Sequence, residues 1–297
     1  MKARIQIRAF LLCARPQNDK EGCKMAIQPQ PQDDVKYLVF DIESVPDGRL
    51  IKMVRHPGED ISEEEAVAAF QKELLANSGG MSEFIPVTFQ YPVSICVAKV
   101  RGDFSLVEVV SLDAPQHRAR EMVRLFWHGT EKLYGEAALV SFNGRGFDIP
   151  LLELMAFRYG LTVKRHMRDK FGTRFRFGTR HIDLHDWLSN YNAVRMNGGL
   201  NLLAKALGKP GKTETSGDQV HEMHRQGKLK EINDYCIQDV LDTYFVFLRT
   251  RVLLGELGLE AEQEIVQKTR DYLFVNKEKV GAYDHYLKNW GDWTPWP

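Results

Sequence analysis

The octapeptide Tyr37-Leu38-Val39-Phe40-Asp41-Ile42-Glu43-Ser44 is rich in β-branched and aromatic residues and is closed by Val45-Pro46-Asp47-Gly48. That pattern predicts a buried strand ending in a turn. Further on, the apolar runs 93–100 and 104–112, joined by Arg101-Gly102-Asp103, predict a hairpin. A helix is expected over 115–133, then a strand over 138–142, a turn at 143–146 and a helix from 149 to about 159. A short strand and helix follow over 181–188, then a helix over 201–207 that Gly208 and Pro210 end. The last strong helix spans 228 to about 254 and is apolar nearly all the way round (Ile232, Cys236, Ile237, Val240, Leu241, Phe245), so it is expected to be buried. Neighbouring strands followed by helix, strand and helix predict an α/β domain with a mixed central sheet flanked by helices.

This core is expected over 35–254. It carries an insertion at about 46–91 holding one helix, 62–76, which Ser62 caps with Glu65 three residues on and whose apolar positions Ala66, Phe70 and Leu74 share one face. Residues 1–34 end in the polar, proline-rich Gln28-Pro29-Gln30-Pro31-Gln32-Asp33-Asp34 and are expected to be disordered, with Met25 an alternative start. The tail 255–297 reads as a helical extension ending in the tryptophan-rich Trp290-Gly291-Asp292-Trp293-Thr294-Pro295-Trp296.

Composition alters this picture little. The formal net charge of the 297 residues is zero, so any nucleic-acid partner must be met by a local basic patch. Cys13, Cys23, Cys96 and Cys236 form no C-x-x-C pair, which suits free thiols in a reducing compartment. No apolar run approaches the ~18 residues of a membrane span, and the one near the N-terminus is too short for a signal-peptide core. A cytoplasmic location without membrane attachment is expected.

The candidate chemistry is acidic. Residues two apart in a strand share a face, so Asp41 and Glu43 point the same way, about 7 Å apart along the chain. Two carboxylates in an apolar strand repel each other and are costly to desolvate; a cation between them removes both problems, while a frayed, solvated strand end is the plainer account. Asp148, just past the strand that ends near Phe142 and ahead of Pro150, reads as a helix N-cap that could also ligate. Tyr235 and Asp239, four apart, share a face of the buried helix, and no basic residue sits one turn away at 235, 236, 242 or 243. Asp239 therefore needs a cation, from a salt bridge elsewhere in the fold or from a metal.

Taken together, Asp41-x-Glu43, Asp148 and Tyr235-x-x-x-Asp239 resemble the DEDD superfamily of 3′–5′ exonucleases in its tyrosine form; Asp234, five before Asp239, excludes the histidine form. Asn143-x-x-x-Phe147-Asp148-x-Pro150 is similar to the exonuclease domain of family-B DNA polymerases. The stretch Leu200 to Lys212, followed by Tyr235 to Phe245, resembles a stand-alone bacterial family of predicted exonucleases related to that domain. The resemblance covers residues 36–254. It implies a ribonuclease H-like fold, two Mg²⁺ or Mn²⁺ ions about 3.5–4 Å apart, and hydrolysis at single-stranded DNA or RNA 3′ ends to nucleoside 5′-monophosphates. It also implies roles. Asp41 and Asp148 would hold the ions most directly, and Glu43 and Asp239 would flank the ion nearer the attacking water. Tyr235 would orient that water without acting as a base, since a phenol is a poor base at pH 7. Ser44 and Val45 would face the terminal nucleotide, with Asn143 and Phe147 positioning the strand. Two rivals are a non-catalytic nucleic-acid-binding module on the same fold and a hydrolase of very short oligonucleotides.

Other signals are secondary. Residues 158–180 hold Arg158, Lys164, Arg165, Arg168, Lys170, Arg174, Arg176 and Arg180 with Phe171, Phe175 and Phe177 among them, a composition suited to a single-strand channel or simply to a solvated face. His181-Ile182-Asp183-Leu184-His185 reads as a structural triplet rather than a metal site. Gly208-Lys209-Pro210-Gly211-Lys212-Thr213 is not a P-loop, because Ala206 stands where glycine is needed and no strand precedes it; Lys212 remains a candidate phosphate contact. The tail tryptophans read as a packed lid.

Overall fold

A computed structural model describes residues 34–212 and 217–295. The N-terminal extension, Cys13, Cys23, Thr213 and Trp296 lie outside them. Strands β1 (Val35–Pro46), β2 (Gln90–Arg101), β3 (Leu106–Ser111), β4 (Ala138–Ser141) and β5 (His181–Asp183) form one sheet in the order β3-β2-β1-β4-β5. β2 runs antiparallel to both neighbours, while β1, β4 and β5 are mutually parallel. With helices on both faces, this is the mixed, ribonuclease H-like α/β sheet that the motifs imply.

The helices in chain order are α1 (Gly48–Arg55), α2 (Glu63–Asn77), α3 (Ala119–His128), α4 (Asp148–Tyr159), α5 (Lys164–Arg168), α6 (Leu184–Leu188), α7 (Gly199–Ala206), α8 (Val220–Arg225), α9 (Leu229–Leu253), α10 (Leu259–Asn276) and α11 (Gly281–Lys288). The period of two along β1 sorts its side chains between two cores. Leu38, Phe40 and Ile42 join Met122, Phe126, Leu151 and Leu152 of α3 and α4. Val39 faces the other way, with Val240, Leu241, Tyr244 and Phe245 of α9 and Tyr283 and Tyr286 of α11. α9 is thus a buried helix, as its apolar circumference predicts.

Four local expectations change. The hairpin turn is longer than expected, because Phe104 takes left-handed backbone (φ 68°) and its ring packs against Tyr37 and Phe247. The helix expected over 115–133 starts only at Ala119, since Asp113 and His117 are left-handed (φ 54° and 46°), and it passes into a π turn over Gly129–Leu133. The insertion holds a second helix, α1, whose N-cap Asp47 accepts the Leu50 amide at 3.0 Å. Finally, Asp148 is not an N-cap: it is the first residue of α4, and the cap, Phe147, makes no side-chain capping bond. The Ser62–Glu65 capping box of α2 is present.

Candidate active site

Asp41 and Glu43 follow Val39 on the α9 face of β1, where the pairing to β2 slips between Glu43 and Ser44. Such bulges bend a strand and re-aim its side chains. Opposite lies α9, held to the sheet by Asn233. Its side-chain oxygen accepts from Ser94 (3.1 Å), from the Cys96 thiol (3.5 Å) and from Ser111. One turn on, the Cys236 thiol donates to the Asp41 carbonyl at 3.3 Å. These contacts fix where the next residues of the helix point. One carboxylate oxygen each from Asp41, Glu43 and Asp239 lies within 4.8 Å of the others.

Asp148 reaches the same region from the carboxyl end of β4. It stands outside the tight trio, yet its charge raises the pKa of both Asp41 and Glu43. Its position depends on a short loop, residues 142–147, whose amides at Asn143 and Arg145 each donate to Asp183 at 2.9 Å. Gly144 has to be glycine here. A Cβ would stand 2.6 Å from Ser141 Cβ and 3.3 Å from an Asp148 carboxylate oxygen.

The electrostatics are those of crowded, desolvated acids. Burial raises Asp41 well above the carboxylate range, and the charges of Asp239 and Asp148 add to it. Glu43 is raised likewise, by burial and then by Asp41. Burial also lifts Asp148 to about 7 and Asp239 to about 6, the latter opposed by a hydrogen bond from Tyr235 and the charge of Lys212. Among the described residues none of the four has an ion-pair partner within 4 Å. Among the described residues, no salt bridge from elsewhere satisfies Asp239. Four carboxylates with only oxygen donors suit a hard divalent cation such as Mg²⁺ or Mn²⁺, so the residues fit the implied metal.

The Tyr235 ring packs among Val45, Val93, Val220 and Ile232, and its hydroxyl reaches Asp239 one turn along α9. Burial and then the charges of Asp239, Glu43 and Asp41 raise its pKa, so the phenol keeps its proton.

The model of one protein family, described as a predicted 3′–5′ exonuclease related to the exonuclease domain of PolB, matches residues 82–290. This chain belongs to that family. The matched span contains Asp148, Tyr235 and Asp239 and begins after Asp41 and Glu43, so the fold is what joins the strand acids to the family's portion. Among solved structures, the chain is similar to the family B DNA polymerase of the hyperthermophilic archaeon Pyrobaculum calidifontis, at 16% identity and a TM-score of 0.46. That similarity covers 78% of this chain and 25% of the polymerase chain. No curated protein matches the sequence.

The remaining residues expected at the site are dispersed around it. Ser44 donates to Gln90 at 2.6 Å, and Val45 is buried beside the Tyr235 ring. Val45 also lines a cleft of about 530 Å³ together with Tyr91, Arg158, His221 and His224. Asn143 is exposed and left-handed (φ 64°), while Phe147 is half-buried with its ring 6.0 Å from that of Phe84. Lys212 is exposed, its amide held by Asn201 at 2.9 Å.

Two secondary signals resolve as structure, and a third does so in part. Asp183 caps α6 through the His185 and Asp186 amides, and His181 bonds Ser141 at 2.8 Å. Lys209 is buried with its ammonium 3.9 Å above the Trp290 ring. Much of the basic run is paired with acidic side chains. Arg158 pairs with Asp47, Arg165 and Arg180 with Glu136, Arg174 with Glu153, and Arg176 with Asp186. The residue that sequence reasoning missed is one that holds others in place, Asn233, while Asp183 lies in the triplet read as structural. No periodicity marks Asn233, since its partners lie far away in the chain. Among the described residues no helix is long and apolar enough to cross a membrane.

Proposed function

We propose that this protein is a metal-dependent 3′–5′ exonuclease that hydrolyses single-stranded DNA or RNA from the 3′ end and releases nucleoside 5′-monophosphates. The observation that carries the reading is the convergence of Asp41, Glu43 and Asp239, with Asp148 close by, on one desolvated spot beside the Tyr235 hydroxyl. Asp41, Glu43, Asp148 and Asp239 would hold two divalent ions, which when bound supply Lewis-acid activation of water and neutralise charge developing on the phosphate.

The chain's own residues do the rest. Tyr235 keeps its proton and serves as a hydrogen-bonding group that orients the attacking water, with Asp239 fixing its hydroxyl. Water adds to phosphorus and loses a proton, the bond to the 3′-oxygen of the penultimate nucleotide breaks, and that oxygen takes up a proton to become the new 3′-hydroxyl. Lys212, close enough for its charge to bear on Asp239, supplies a positive charge to the phosphate. Asn143 and Phe147, on the loop that leads into Asp148, position the strand, and Val45 lines the cleft for the terminal nucleotide, with Ser44 beside it in the chain. A catalytically silent binding module would have no use for crowded acids that oppose folding, which supports an active enzyme.

The test is digestion of 5′-labelled single-stranded DNA and RNA, side by side, with Mn²⁺. A ladder shortening from the 3′ end is expected, with Asp41→Ala inactive and Tyr235→Phe retaining roughly 1–10% of the rate. If Asp41→Ala digests either strand as fast as the parent, the reading is wrong.

A further inference from the structure

Beyond the acidic site, the surface between α5 and α7 exposes aromatic side chains that pack on one another instead of in a core. Phe171, Phe175, Phe177 and Tyr191 are 64%, 37%, 67% and 38% exposed. Successive ring centroids are 5.4, 6.3 and 5.1 Å apart and meet edge to face. An exposed apolar strip of this kind opposes solubility and marks a binding surface.

The strip is built. Turns closed by the Gly172, Phe175 and Gly178 amides on Asp169, Gly172 and Phe175 carbonyls turn the rings outward. Beneath it, the Arg145 guanidinium donates to the carbonyls of Thr173 (3.3 Å), Phe175 (3.3 Å) and His181 (2.6 Å). The Arg145 amide meanwhile sits on Asp183, three residues before Asp148. One arginine thus ties the strip to the loop that sets the acidic site.

Charge indicates the occupant. Arg174 and Arg176 have acidic partners, but Lys164, Arg168 and Lys170 are exposed with none among the described residues, and the Lys170 ammonium lies 5.4 Å from the Phe171 ring. On a chain of zero net charge, a group of uncompensated cations bordering exposed rings matches a polyanion with flat apolar faces. Single-stranded nucleic acid has that chemistry, its phosphates meeting the cations and its bases stacking on the rings.

We propose that Phe171, Phe175, Phe177 and Tyr191 form a stacking platform for the single strand upstream of the scissile bond, with Lys164, Arg168 and Lys170 tracking its backbone. The proposal rests on the exonuclease reading for its substrate and adds to it a second point of attachment. It makes the enzyme length-sensitive: strands long enough to reach the platform are held, and dinucleotides are not.

The experiment measures binding of a 5′-fluorescein oligothymidylate to the full chain by anisotropy in EDTA, so that hydrolysis plays no part. Phe171→Ala combined with Phe177→Ala should weaken binding of a strand about 20 nucleotides long by roughly tenfold or more. Arg168→Glu combined with Lys170→Glu should weaken it and flatten its salt dependence. With Mn²⁺, the double phenylalanine variant should cleave a thymidine dinucleotide at the parent rate. Affinity for the long strand within about twofold of the parent, or equal losses on dinucleotide and long strand, overturns the platform. If the long strand binds through the strip but Mn²⁺ yields no mononucleotides, the exonuclease reading falls and the platform stands.

Discussion

Replacing Asp148 by asparagine should stabilise the metal-free protein while destroying its activity. Asp148 is 4% exposed, and its pKa is lifted from an ordinary 3.8 to about 7, first by burial and also by the charge of Asp183. The sign follows from which state binds the proton more tightly. The folded chain does, so raising the pH from about 4 towards 7 deprotonates the unfolded chain first and draws the equilibrium away from the fold. The destabilisation levels off above the folded pKa. At 1.36 kcal/mol per pH unit, the span from 3.8 to about 7 amounts to about 4 kcal/mol at pH 8 and falls below about 1 kcal/mol at pH 4. Asparagine keeps the shape and an oxygen for the Ile42 amide but not the charge. Asp148→Asn should therefore unfold roughly 10 °C above the parent at pH 8 in EDTA, with the gap closing at pH 4. Urea unfolding of both proteins at the two pH values, with and without Mn²⁺, measures it. Mn²⁺ should stabilise the parent more than the variant, because the variant lacks one of the four charges that the ions would neutralise. A variant no more stable than the parent at pH 8, or a gap independent of pH, would refute the electrostatic account of the site.

Two further substitutions probe how the site is held. Gly144→Ala places a Cβ against Ser141 and Asp148, and should cost about 1–3 kcal/mol in urea unfolding and lower the digestion rate even in the folded fraction. Tyr286→Phe removes the hydroxyl that donates to buried Asp242 at 2.7 Å, one turn beyond Asp239. It should destabilise by about 1–3 kcal/mol, because the Asp242 carboxylate is left without that partner, and the loss is read from the urea midpoint.

The parts legible in the sequence are those with local periodicity. The period of two in β1 placed Asp41 and Glu43 on one face, and the apolar circumference of α9 marked it as buried, as Tyr235 is, while Asp239 on the same face is half-buried. Their order along the chain, with Asp148 between, led to the family. What stayed hidden depends on long-range partners. Asp148 looked like a helix cap because an aspartate ahead of a proline usually is one, yet its carboxylate is turned into the sheet edge while Asp183, some forty residues away, takes the loop amides. Which members of the basic run are paired was hidden because the acidic partners, Asp47, Glu136, Glu153 and Asp186, are spread through the chain, whereas Lys164, Arg168 and Lys170 have none among the described residues. Asn233 carried no signal: on a buried helix a polar residue reads as a flaw until Ser94, Cys96 and Ser111 are seen around it.

The central claim is that the acids of β1, α4 and α9 share divalent cations. Titration calorimetry of Mn²⁺ into the intact chain at pH 7.5, beside Asp41→Asn and Asp239→Asn, tests it most directly. The account predicts saturable binding to the parent, accompanied by proton release from carboxylates whose pKa values lie near 6 and 7, and its loss in both variants. Binding that survives in the variants, or a parent that takes up no Mn²⁺, would contradict it.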